Sequence, residues 1–144
     1  MANARIVQLA DGIVGQINAG SFSEAFVAER RFVPFFRRED MGDGLHVIVV
    51  PRERTRDRAT RSASTHDLSI DLAVQQAVSD INGDRVDELL ALVEELADFV
   101  DGAPITATGH RVIGVASEPI YDPDHLKTLS VFTGLLTLTC REIT

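Results

Sequence analysis

Hydrophobic and polar residues follow two different periods along the chain, which predict two helices and five strands. Apolar residues recur every three or four positions over 3–18 and over 84–100, and each pattern is typical of an amphipathic helix. Strict alternation over 66–79 predicts a long strand with one buried face. Further apolar runs predict strands at 25–33, 45–50, 110–117 and 129–140.

The order of these elements predicts how the strands connect. Pro34 ends one strand, and the glycine-rich turn at 41–44 leads into the next, which suggests an antiparallel pair. The strands at 45–50 and 66–79 are expected to form a long hairpin, and 119–123 is expected to be a turn. The prediction is therefore a single α+β domain over residues 1–144, with a mainly antiparallel sheet of about five strands and two main helices packed on it.

Residues 52–65 form the most unusual segment, because alanine is the only apolar residue type they contain. Such a segment cannot bury a hydrophobic face, so we expect a long, exposed and mobile loop at the tip of the hairpin. The loop is rich in arginine, which pairs with carboxylates and phosphates through a planar, bidentate guanidinium. Its arginines are Arg52, Arg54, Arg56, Arg58 and Arg61.

The charge distribution separates this loop from the rest of the chain. The formal net charge is −8, which disfavours general affinity for nucleic acid or anionic membranes. Residues 30–61 nevertheless hold nine arginines against five acids, whereas 62–101 hold ten acids against Arg85 alone. The second helix is expected to present an acidic polar face, formed by Asp87, Glu88, Glu94, Glu95 and Asp98.

Candidate chemical sites give little support for an enzyme. Ser64, Thr65, His66 and Asp67 have the composition of a catalytic triad, but adjacent strand residues point to opposite faces and cannot converge. The four histidines lack metal-binding spacings, and the one cysteine, Cys140, is expected to be a packed apolar residue. No catalytic, metal or cofactor site is predicted, and no apolar run reaches the roughly 20 residues of a membrane span.

The arginine-rich loop has three interpretations from the residues alone. It could contact nucleic acid or phosphate, although it lacks the aromatic residues that commonly stack on bases. It could be an assembly arm that becomes ordered against an acidic neighbour. It could also be a solvated loop without a partner. Segregated charges of this kind favour the assembly arm, with the acidic helix face as the matching surface.

The order of motifs resembles the tail terminator and neck proteins of tailed phages. The resemblance covers most of the chain and rests on order and spacing rather than on a catalytic signature. Its main segments are RRFVPFF (30–36), LHVIVVPR (45–52), HDLSIDLAVQQ (66–76), DELLALVEELADFV (87–100) and EPIYDPDHLKTLSVFTGLLTLTCR (118–141).

The resemblance implies a non-enzymatic virion protein at the neck of the particle, made in the host cytoplasm. Terminators form a ring, typically a hexamer, that caps the tail tube and joins it to the head connector, and genomic DNA passes through the lumen. It also implies that the hairpin loop, here 52–65, becomes ordered on assembly. Two alternatives stay open: another neck component, such as a head-closure or tail-completion protein, and a small nucleic-acid-binding regulator that uses Arg52–Arg61.

Overall fold

A computed structural model describes residues 4–33, 42, 44–58, 64–79, 83–117 and 121–142, with the backbone alone at 55–58, 64 and 65. Within these residues three helices and six strands form an α+β arrangement, which is the fold class that the sequence predicts, with one helix and one strand more than expected. In chain order they are α1 (Arg5–Ala19), β1 (Ala28–Arg30), β2 (His46–Arg58), β3 (Ser64–Ala77), α2 (Asp84–Val100), β4 (Pro104–Ile105), β5 (His110–Ala116), α3 (Pro123–Leu129) and β6 (Val131–Glu142).

The strands form one sheet in the order β1-β2-β3-β6-β5-β4. Every pair is antiparallel except β1 with β2, so the predicted antiparallel character is confirmed with one exception. The predicted antiparallel pairing of the first two strands is wrong, because Ala28 lies opposite Val47 in a parallel register. Parallel neighbours need a connection of about a dozen residues or more, and residues 31–45 are long enough to provide one.

The long hairpin is confirmed, and it is longer than predicted. Strand β2 continues through Pro51 to Arg58, and β3 already begins at Ser64. Pro51 is tolerated because β1 pairs with β2 only at 47–49. Among the described strands, Pro51 therefore has β3 on one side and no strand on the other. The predicted loop over 52–65 is therefore wrong in extent: both of its ends belong to strands, and 59–63 lie outside the described residues.

Helix α1 lies on one face of the sheet and contacts strands from both of its edges, so the sheet curls around this helix. Asn18 bonds the backbone N–H and C=O of Ala28 in β1, at 2.8 and 3.1 Å. Gln16 donates to Pro104 in β4 and accepts from the backbone of Thr106. Two polar residues near the end of α1 therefore hold the two edges in place, while the apolar stripe of this helix fills the core.

Helix α2 contributes to the same apolar core as α1, contacts β5 and β6, and agrees with the predicted bounds 84–100. The sequence prediction missed α3 and the two-residue β4, and it interpreted 119–123 as a turn only. Asp122 begins α3 as its N-cap, since its carboxylate accepts from the backbone N–H groups of Asp124 and His125. The Asp-Pro pair at 122–123 is a helix-start signal that could have revealed this element.

Candidate functional site

The outer end of the hairpin projects beyond the rest of the sheet. Strand β6 pairs with β3 only as far as the Asp67–Arg141 position, whereas β2 and β3 remain paired out to Arg58 and Ser64. We call this two-stranded extension, residues 56–58 and 64–66, the arm. A two-stranded ribbon alone is marginally stable in water. The arm is therefore the part of the described sheet that would gain most from contact with another molecule.

A β-bulge at the base of the arm sends successive arginines to opposite faces of the sheet. The register shifts between Pro51 and Glu53, so Arg54 lies opposite the buried Leu68 on the face that carries the helices. Arg52 lies on the other face. Without the bulge, the period of two would place both arginines on one face.

Arg52 is already engaged within the chain. Its guanidinium lies 3.5 Å from the carboxylate of Asp71 and donates to the hydroxyl of Thr137 at 3.2 Å. Thr137 also donates to Asp71 at 3.0 Å, so three neighbouring strands share this network. We therefore assign Arg52 a structural role on the sheet face opposite α1 and α2, and this separates it from the other predicted interface arginines.

The structure describes the remaining predicted arginines to different extents: one with its side chain, two by their backbone alone and one not at all. Arg54 is exposed and forms no ion pair among the described residues. Arg56 and Arg58 continue the backbone of β2 opposite His66 and Ser64, which fixes their register. Arg61 lies outside the described residues. Arg54 is consequently the one predicted arginine whose side chain is described and forms no ion pair with another described residue.

The predicted acidic face of α2 is present, but its five members are not equivalent. Glu95 is half-buried and bonds the backbone N–H and hydroxyl of Ser23. Glu88 lies 3.8 Å from Arg85 in the preceding turn. The other three carboxylates are exposed and form no ion pair with any described residue: Asp87, Glu94 and Asp98. We call these three residues the acidic stripe.

Arg85 fixes where the acidic helix begins relative to the arm. Its guanidinium donates to Gln76 at 2.6 and 2.8 Å and to Glu24 at 2.8 Å. Gln76 stands near the end of β3, twelve residues from Ser64, and a strand rises about 3.3 Å per residue. The first turn of α2 therefore lies roughly 40 Å along the strand from the far end of the arm. No described residue of the acidic face pairs with an arginine of the arm within one copy.

The other candidate residues remain apart. Asp67 forms a bidentate pair with Arg141 at 2.8 and 3.0 Å on the sheet face opposite α1 and α2. His66 lies on the other face of the sheet, where it lines a pocket. Burial raises the pKa of Cys140 to about 12, as befits a packed apolar residue. Within the described ranges no group of three or more histidine, cysteine or acidic residues could hold a metal ion, and no helix has the length and apolarity to cross a bilayer.

The sequence prediction missed a cluster of charged residues where α1 begins. Arg5 pairs with Glu142 at 2.7 Å, and Glu142 lies opposite His110 in the sheet. Burial lowers the pKa of His110, although the charge of Glu142 opposes the effect. The hydrogen bond from Arg5 lowers the pKa of Glu142. These residues are far apart in sequence, and the pairing of β5 with β6 together with the packing of α1 on the sheet brings them together.

Comparison with known proteins adds no assignment: no family model matches the chain, and no curated protein is significantly similar to it.

Proposed function

We propose that this protein is a structural subunit of a tailed-phage neck, a tail terminator that forms a ring, caps the tail tube and joins it to the head connector. The observation that carries the proposal is the projecting arm. It is a narrow, arginine-bearing ribbon that pairs with no third strand of the described part of the chain beyond Asp67, and it belongs to a chain that also bears an acidic helix. The overall resemblance to terminator and neck proteins directs the proposal to phage assembly.

The separation of the two charged surfaces supports assembly between copies. A basic arm on one copy and an acidic helix on the next form a heterologous contact, because two different patches meet. Such contacts repeat around a ring when the rotation between copies closes. We propose six copies around a lumen through which DNA passes, with a net negative charge that allows DNA to slide rather than bind tightly.

The proposal is tested by negative-stain microscopy of the purified chain, together with a DNA-binding assay. We expect rings with an open lumen and no tight DNA binding at physiological salt. A nucleic-acid-binding regulator would instead give strongly salt-dependent DNA binding without rings. That binding would be lost when Arg52, Arg54, Arg56, Arg58 and Arg61 are replaced by alanine. This second pattern would contradict the assignment as a terminator.

A further inference from the structure

A pocket lies at the base of the arm, on the face that carries the helices. It has a volume of about 340 Å³ and is lined by residues 4–6 at the start of α1, by Arg54, His66 and Leu68 from the hairpin, and by His110 and Glu142 from β5 and β6. The lining therefore comes from five elements that the fold brings together. Its position places it where a molecule lying along the arm would contact the body of the subunit.

The charges around this pocket leave one cation without a counterion. Arg5 and Glu142 neutralise each other at 2.7 Å. Arg54 has no ion-pair partner among the described residues, in contrast to Arg52, which the bulge directs to Asp71. Burial favours the neutral form of His110 and so keeps a second positive charge out of the pocket. Among the described side chains that line the pocket, Arg54 is therefore the one guanidinium without an ion pair, and a single carboxylate can match it through two parallel hydrogen bonds.

The same chain carries carboxylates that suit this pocket. Asp87, Glu94 and Asp98 are spaced by seven and four residues, which places them on one stripe of α2. At 1.5 Å per residue, Glu94 lies about 10 Å from Asp87 and 6 Å from Asp98 along the helix axis. Glu94 is the only glutamate of α2 without a partner in the described part of the chain, and its side chain is longer than that of aspartate.

We propose that the pocket beside Arg54 binds the carboxylate of Glu94 from a second copy of this chain. This inference rests on the proposed ring and names the contact that would join neighbouring copies. Arg54 forms the ion pair, and Leu68 and the start of α1 exclude water from one side of it. Desolvation of this kind makes a charge pair at the centre of an interface stronger than a pair at its exposed rim.

The test compares two variants, each of which removes the positive charge of one of two neighbouring arginines. Arg54→Gln is expected to raise the dissociation constant of the assembly at least tenfold, measured by analytical ultracentrifugation at low salt. Arg52→Gln removes the same charge from the other face and should leave assembly within about twofold of the natural chain. Glu94→Gln should match Arg54→Gln, with Glu88→Gln as its control. Far-UV circular dichroism establishes that each variant is folded.

A charge swap and a cross-link test the pairing itself. Arg54→Glu and Glu94→Arg should each prevent assembly, and the double variant should recover most of it. An equimolar mixture of the Arg54→Cys and Glu94→Cys proteins should form a mixed disulfide under mild oxidation, while the buried Cys140 does not react. If the natural chain forms rings but Arg54→Gln assembles equally well, or the swap does not rescue, the pocket inference is wrong and the ring stands. A natural chain that stays monomeric contradicts both.

Discussion

The inner and outer halves of the β2–β3 hairpin belong to the same two strands but are stabilised in different ways. In the inner half, Ile70, Leu72 and Val74 are at most 1% exposed and pack beneath the helices. A shift of one residue would turn these side chains to the other face, so burial fixes the register there. The arm carries charged residues, and no third strand among the residues that the structure describes pairs with it. The comparison indicates that burial in the core holds the inner half in place, whereas the arm is the part for which we propose contact with other molecules.

The largest effect is expected from placing a charge in the core. Val93→Asp should unfold the protein at room temperature, because residue 93 is 1% exposed and an unpaired buried carboxylate costs several kcal/mol out of a typical total of roughly 5–15. Leu90→Asp should cost less, since Leu90 is only half-buried. The exposed Ala91→Asp is the control. A cooperative, native-like thermal transition for Val93→Asp would show that the core has been placed incorrectly.

A cavity in the inner hairpin should have the next largest effect. Leu72→Ala removes a fully buried side chain and should lower the free energy of unfolding by about 2–5 kcal/mol, measured by urea denaturation. Ser69→Ala, on the opposite face of the same strand, should change it by less than about 0.5 kcal/mol. Equal losses for the two variants would remove the distinction between the two faces of β3.

Excision of the arm should separate folding from assembly. Replacement of residues 56–66 by Asn-Gly joins Thr55 to Asp67, which are paired, through a two-residue hairpin turn. We expect the free energy of unfolding to change by less than about 1 kcal/mol, because alanine is the only apolar residue type in the sequence of this segment. Assembly should be lost in sedimentation experiments. A shortened chain that melts without cooperativity would show that the arm is required for folding.

The pH dependence of stability tests the buried His110 in the charged cluster at the start of α1. The pKa of His110 is lower in the folded chain than in the unfolded one, so the unfolded state binds more protons as the pH falls below about 6.5. Stability should therefore decrease as the pH drops through this value, and His110→Gln should flatten that decrease. The paired Arg5 and Glu142 remain in both proteins. Identical pH profiles of unfolding for the two proteins would exclude His110 as the source.

The smallest effect concerns the single thiol. With a pKa of about 12, only about one Cys140 side chain in ten thousand is ionised at pH 8, so thiol reagents should not label the native protein. Labelling should follow urea unfolding. Rapid labelling in the folded state would mean that β6 opens locally or that Cys140 is exposed.

The elements that could be predicted from the sequence are those with long periodic patterns. Helix α2 and the long strand β3 were predicted to within a few residues, because each has one continuous buried face. Strand β1 is only three residues long, and its parallel pairing depends on a connection whose path local residues do not determine. Short elements such as β4 carry too few residues for any period.

In the candidate site, too, features of local sequence could be predicted and contacts between distant residues could not. The sequence identified the arginine-rich segment and the acidic helix from composition alone. It could not separate Arg52 from Arg54, because both obey the same alternation and only the bulge after Pro51 directs them to opposite faces. The pocket also depends on residues more than one hundred positions apart, such as Arg5 and Glu142. Such contacts follow from how α1 packs on the sheet and how the strands pair, and not from local patterns.

Native mass spectrometry at several salt concentrations tests the central claim, head-to-tail assembly into a closed ring, most directly. At low ionic strength we predict one dominant species of six copies of the 15.7 kDa chain, about 94 kDa. It should dissociate as salt screens the contacts between arm and acidic helix, with a Debye length near 3 Å at 1 M. A monomer at every protein and salt concentration, or open-ended polymers without a closed stoichiometry, would contradict the account.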